Sequence, residues 1–257
     1  MKGFLEYVPG NSFLHRMNPV AKLAAALLIV ITCFVTSSFA LLIGILVLDL
    51  VLAARCGMLK QTLGLAKAVT AFSALLGVIA LFTTPEGTQL VALPFGGYLG
   101  TGSILAAVRI VLRLVACAVP LFLVFYVTRL NDIANSLVKI LHVPYKYAFT
   151  FMSTVRFIPL FMNDMAGIME AQTARGVEFD GSLVKRLRLM VPLCVPLLVS
   201  SVRKTNSAAI AAEVRGFNLR TSASGFKEYP FASRDFAAMG ACLVLLVGAV
   251  ALALLGI

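Results

Sequence analysis

The chain has 257 residues, 60% of them hydrophobic and only 13% charged, with a mean hydropathy of +0.98 and a formal net charge of +11. That composition excludes a water-soluble core, because apolar runs of roughly 18–25 residues are what crosses ~30 Å of hydrocarbon as helix, and several such runs occur. The five cysteines are scattered without a CxxC pair and the two histidines are too few to build a metal cluster with them. They read as small apolar residues packed in helices, and no metal or cofactor is expected.

The opening, "MKGFLEYVPGNSFLHRMNPVAK", has no apolar run of signal-peptide type, so no cleavage is expected. The first span reads from 21 to 36 and the second from 39 to 54, with Ser37 and Ser38 between them, which predicts an antiparallel hairpin. A third span runs from 67 to 83. Residues 84–101, rich in Gly and Pro, read as a loop. A fourth span covers 103–127 and a fifth covers 236–257. The predicted fold is an all-α polytopic membrane protein of about five transmembrane helices. Long helices on the cytoplasmic side are expected between the fourth and fifth. The expected divisions are 1–127, 128–234 and 235–257.

The basic residues set the expected orientation. With the N-terminus in the cytoplasm, Lys2, Arg16, Lys22, Arg55, Lys60, Lys67 and all 14 Lys and Arg from Arg129 to Arg234 lie inside. Arg109 and Arg113 fall within the fourth span, and the external loops carry no Lys or Arg. This is a strong positive-inside pattern, and with five spans it sends the C-terminus outside. Within 128–234 the stretches 144–169 and 187–202 are apolar. Arg156, Pro159 and Asp164 interrupt the first, and Pro192 and Pro196 the second. One more crossing at 187–202 would also export six basic residues. Both stretches therefore read as apolar helices at the cytoplasmic interface, with a re-entrant pair as the alternative.

Two helix ends in this region share one grammar: "EAQTARG" ends at Gly176 and "AAEVRG" at Gly216. Glycine after a helical run adopts the left-handed C-cap conformation without a Cβ penalty. An arginine just before it sits at the negative end of the helix dipole, so each of Arg175 and Arg215 reads first as a cap for its own helix. Two such ends, read as set side by side, suit a second role. A planar guanidinium at an apolar helix tip docks into an acidic groove through its fixed fork of donors. Glu170 and Glu213 lie close before the tips, as local partners or as solvated residues.

These motifs resemble those of the transmembrane (T) component of energy-coupling factor transporters, a CbiQ-like family within the ATP-binding-cassette importers. The resemblance covers nearly the whole chain, through "YVPGNSFLHRMNPVAKL" (7–23), "VTRLNDIANSLVKILHVP" (127–144), "RFIPLFMNDM" (156–165), "AQTARG" (171–176) and "EVRG" (213–216). Where the family usually reads Asp-Pro-Arg, this chain has Asn18-Pro19-Val20, and Val214 stands where the second motif has alanine. The resemblance implies that Arg175 and Arg215 dock two ABC ATPase subunits, with Ala174, Gly176, Val214 and Gly216 shaping the tips. It also implies a small substrate-binding membrane subunit held by the apolar faces of the coupling helices. The importer would serve vitamin or metal-ion uptake across a bacterial or archaeal cell membrane. For the substrate-subunit contact, Phe149, Met152, Phe157, Phe161 and Met165 form an aromatic and methionine-rich surface of the kind that marks a partner site. Packing of that surface under the protein's own spans is the alternative.

Arg109 and Arg113 lie four apart on one face of the fourth span, where a charge costs about 2.5–3.5 kcal/mol on insertion scales and faces protein or water. Asp49 in the second span is a candidate ion-pair partner, and a transport pathway is the minority reading of all three. Lys185, Arg186 and Arg188 form a basic cluster suited to anionic lipid headgroups, and nucleic acid is not an expected partner. No GxxxxGK[ST] loop and no nucleophile–base pair occur. The expectation is a subunit without catalysis, with ATP hydrolysis in its partners. A self-sufficient secondary transporter is the competing class, but duplicated halves and broken midplane helices are not evident.

Overall fold

A computed structural model describes residues 8, 10, 12–83, 89–92, 98–177, 179, 182–219, 221, 224 and 227–255. Their elements, in chain order, are α1 (Pro19–Val35), α2 (Phe39–Arg55), α3 (Leu59–Thr83), β1 (Gln89–Ala92), β2 (Tyr98–Gly100), α4 (Thr101–Val127), α5 (Leu130–Ile140), α6 (Tyr145–Ala174), α7 (Leu183–Val214), the 3-10 turn η1 (Phe217–Leu219) and α8 (Ser233–Leu254). The chain forms two compact units. One comprises Met1–Ile133 and Tyr229–Ile257, and the other Ala134–Glu228.

In the first unit α4 is the central helix, packing against α1, α2 and α3, while α8 packs against α1. α1 and α2, joined only by residues 36–38, were expected as a hairpin, yet α1 lies chiefly against α8 and then α4, and α2 chiefly against α4. Their small and aliphatic side chains fill the space between: Ile29, Cys33, Leu42, Ile45, Ala116, Cys117 and Cys242 form one buried cluster. A second joins Ala53 to Val115, Val119 and Leu123. Gly77 of α3 faces α4, where a Cβ would make ordinary van der Waals contact with the Ala107 carbonyl oxygen at 3.5 Å.

The end of this unit that carries residue 18 is polar and closed. Asn18 caps α1, its side-chain oxygen accepting from Val20 N at 3.0 Å, with Pro19 in the first helical turn. Its own backbone N donates to Asp235 Oδ1 (3.1 Å) and its Nδ2 to the Tyr229 carbonyl (2.9 Å). Asp235 Oδ2 accepts from Ala232 N at the start of α8 (2.8 Å), and the buried Lys22 ammonium donates to Thr128 Oγ1 (3.1 Å). Asn18 therefore serves as the N-cap of α1 through its amide oxygen.

Among the described residues, α3, α4 and α8 are long and apolar enough to cross a membrane. α1 and α2 have 17 residues each, about 26 Å of helix and the short limit for a span. Large apolar side chains point outward from these helices, including Phe34 (61% exposed), Phe72 (64%) and Val244 (70%). Hydrocarbon, not water, is the solvent such surfaces fit. The protein is an all-α, multi-pass membrane protein.

Three local expectations are corrected. α3 begins at Leu59, eight residues before the expected 67, because hydropathy marks where apolar residues dominate and Lys60 and Lys67 do not stop a helix from running past them. The segment 84–101 contains a short antiparallel hairpin, with Val91 opposite Leu99 and Ala92 opposite Tyr98. Valine, leucine and tyrosine favour strand; residues 93–97, between the two strands in sequence, lie outside the described part. The fifth helix was expected to reach 257, but α8 ends at Leu254 and residues 256–257 are likewise outside.

In the second unit, α6 and α7 run antiparallel. Phe217, just past the end of α7, packs its ring 4.8 Å from Phe149 and 5.6 Å from Tyr145 at the start of α6, while Asp164 and Lys204 meet further along. Pro159, Pro192 and Pro196 interrupt the apolar runs of the sequence but lie inside continuous helices, in keeping with the helical reading of both stretches. Each removes a single backbone donor, and helices of 30 and 32 residues retain the rest of their ladder. Residues of α5 contribute Ala134 and Val138 to a small core with Ala148, Tyr145 and Met152.

Candidate functional site: two arginine-tipped helices

Each of the long helices ends at the residue before its arginine. At the first tip Gly176 has φ +87°, its N–H donates to the Thr173 carbonyl (2.9 Å), and Val177 N donates to the Gln172 carbonyl (3.1 Å). Those two bonds make a complete Schellman closure. At the second tip Gly216 has φ +73° and its N–H donates to the Glu213 carbonyl (2.9 Å). The chain then turns into η1, which carries Phe217 back against α6. Closing the helix with backbone groups leaves the arginine side chains uncommitted to capping carbonyls through these bonds. Arg175 and Arg215 are exposed, as are Ala174 and Val214, the latter 83%. Glu170 and Glu213 are exposed as well.

The structure does not bring the two tips side by side. Antiparallel pairing puts Arg175 at one end of the α6–α7 pair and Arg215 at the other, on opposite sides of the contact between Asp164 and Lys204. There Lys204 Nζ lies 2.6 Å from both Asp164 carboxylate oxygens, and Ser200 Oγ donates to Asp164 at 3.2 Å. The Lys204 ammonium, followed by the Ser200 hydroxyl, holds the Asp164 carboxyl below the usual carboxylate range. A folded-state value below the unfolded one means that the contribution of this pair is present above the ordinary carboxylate range. It is lost as pH falls through the folded value.

The aromatic and methionine residues of α6 divide into two groups. Phe149 and Met152 are partly covered by the unit's own Phe217, Ala134 and Val138. Phe157 and Phe161 stack at 5.5 Å and, with Met165, repeat every four residues along one half-buried face. A cleft of about 800 Å³ opens beside the first group, lined by Tyr147, Phe149, Phe151, Thr154 and Phe217.

A larger apolar surface escaped sequence reasoning. Val191, Val195, Leu198, Val199 and Val202 of α7 are 56–66% exposed, and their spacing of three and four makes one stripe. The spacing is present in "VPLCVPLLVSSV", a stretch that reads in sequence as an apolar helix without this face being singled out. Lys185 and Arg188 are exposed in the first turns of α7, and the side chain of Arg186 lies outside the described residues.

Arg109 and Arg113 do not pair with Asp49. Arg113 donates to the Thr36 carbonyl (2.8 Å) and the Arg109 guanidinium lies 5.0 Å over the Phe39 ring. Both therefore clamp the turn between α1 and α2, where a cation meets the free carbonyl at the end of α1. Asp49 is fully buried within the cluster that includes Cys33 and Cys117, and neither carboxylate oxygen has a hydrogen-bond partner. No group of three or more His, Cys, Asp or Glu suited to a metal ion occurs among the described residues.

A long antiparallel pair with an arginine at each C-terminal tip, attached to a bundle of apolar helices, is the arrangement to set beside known proteins. A family model described as CbiQ, cobalt transport protein, matches residues 10–224, well over half of the chain. The chain belongs to the CbiQ family. Among curated relatives, the energy-coupling factor transporter transmembrane protein EcfT of Brevibacillus brevis is 32% identical over 257 aligned positions, covering 95% of this chain and 96% of the relative. The EcfT of Clostridium kluyveri is 30% identical over 93% of this chain and 92% of its own length, and that of Lactococcus lactis 28% over 89% of each.

Proposed function

We propose that this CbiQ-family chain is the non-catalytic transmembrane energy-coupling subunit of an energy-coupling factor type ABC importer, linking two ABC ATPase subunits to a small substrate-binding membrane subunit. The cargo class is a vitamin or a metal ion. The observation that carries this reading is the pair of exposed arginines, Arg175 and Arg215, held at opposite ends of one antiparallel helix pair by glycine-closed caps. Two separated cationic tips match two separate partners, and a fixed guanidinium fork suits a groove lined with carboxylates and carbonyls. The similarity to EcfT proteins supports the same assignment.

The α7 stripe, with Phe157, Phe161 and Met165, supplies the apolar surface for the substrate-binding subunit. Catalysis resides in the partners, consistent with the lack of a phosphate-binding loop in the sequence. The clustering of Lys and Arg at 129–234 supports a cytoplasmic position for this unit, an N-terminus inside and a C-terminus outside. The secondary-transporter reading draws no support from Arg109 and Arg113, whose side chains engage the 36–39 turn.

The test is charge reversal at the tips. Arg175→Glu with Arg215→Glu is expected to abolish capture of the ATPases by the membrane-inserted chain. Each single change weakens docking by about 2–5 kcal/mol, the cost of stranding a paired charge in an interface. Undiminished ATPase capture and uptake by the inserted double variant would sink the docking role.

A further inference from the structure

The two arginines are 40 residues apart, and so are Asp164 and Lys204, the residues that join α6 to α7. Each arginine thus lies 11 residues beyond its helix's member of the ion pair. Eleven residues is about three helical turns and ~16 Å. Each arginine therefore follows the pair member by almost whole turns, near the same angular position, on arms of equal length. In an antiparallel pair related by a local two-fold, groups that touch their own equivalents lie on the axis. Asp164 and Lys204 are such equivalents, and they touch.

We propose that the Asp164–Lys204 pair is the pivot of the coupling helices, a positioning pair that holds the two arginine tips equidistant from one point. This rests on the docking reading above and adds what sets the spacing of the docking groups. The chemistry suits that task. Both groups are half-buried, and exposed or partly exposed ion pairs add little to stability. An ammonium seated between both oxygens of one carboxylate nevertheless fixes register, which aliphatic contacts such as those of valine do not. Ser200, one turn before Lys204, fastens the same carboxylate and limits its rotation. Partners of like fold, meeting equal arms on either side of a fixed pivot, receive equivalent displacements.

The experiment uses the full chain in lipid nanodiscs with Cys194, the exposed cysteine, changed to Ser. Spin labels at Thr173→Cys and Ala211→Cys, both exposed positions near the tips, report the tip-to-tip distance by double electron–electron resonance. A single narrow distance is expected for the parent. Asp164→Lys or Lys204→Asp alone is expected to lose it, and the swapped pair, D164K with K204D, to restore it. Uptake per ATP hydrolysed, measured with the ATPases and substrate subunit present, should fall and recover in step. An unchanged distance in the single variants overturns the pivot, as does a swap that fails to restore it. Altered distances with undiminished uptake per ATP overturn the positioning role. Failure of the docking reading is distinguished because it leaves the distance results standing while Arg175→Glu with Arg215→Glu still retains the ATPases.

Discussion

At the scale of single residues, the tips are the most local feature of the molecule. Gly176 and Gly216 adopt positive φ, where a Cβ costs roughly 1–2 kcal/mol. Nothing lies within 4 Å of a Cβ placed at Gly176, so the penalty of Gly176→Ala is one of backbone alone. That substitution is expected to raise the opening of the Schellman closure about tenfold, seen as faster hydrogen exchange of the Val177 amide, with the rest of α6 unaffected. Unchanged exchange at Val177 would show that the cap does not depend on glycine. This chemistry was legible in the sequence because every bond of the cap joins residues within five positions of each other. The partners of Arg109 and Arg113 were not legible. They depend on which helices α4 packs against, and the 36–39 turn lies some 70 residues away in the chain.

At the scale of elements, hydropathy located the five helices of the first unit because hydrocarbon-facing residues are apolar whatever the tertiary arrangement. Ends were less well determined, as α3 shows, since a helix passes through Lys60 and Lys67 without an apolar signal. The prolines count against a membrane crossing but not against a helix: α7, expected as an apolar helix, runs through Pro192 and Pro196 and displays Val191, Val195, Leu198, Val199 and Val202 on one stripe. Those residues are exposed, so polar replacements disturb little packing. Val195→Asn with Val199→Asn is expected to leave insertion and ATPase capture intact while the substrate-binding subunit no longer co-purifies. Each side chain removed from a buried interface costs roughly 1.5–3 kcal/mol. Retention of that subunit at wild-type yield would assign the stripe to lipid instead.

For the whole molecule, the division into two units follows from composition. One unit's helices are apolar on nearly every face, while the other carries most of the basic residues and both arginine motifs. That division and the positive-inside pattern make a single functional account, in which apolar helices hold a station in the bilayer and the long pair presents two tips to soluble partners. The central claim is that one chain engages two ATPase subunits, one per arginine. It is tested most directly by native mass spectrometry of the tagged chain, gently extracted from its native membrane with whatever it binds. The account predicts one copy of this chain with two ATPase subunits and one small, very apolar membrane protein, and no ATPase on the Arg175→Glu, Arg215→Glu variant. A chain that emerges without ATPases, and moves solute in liposomes without ATP, would contradict it.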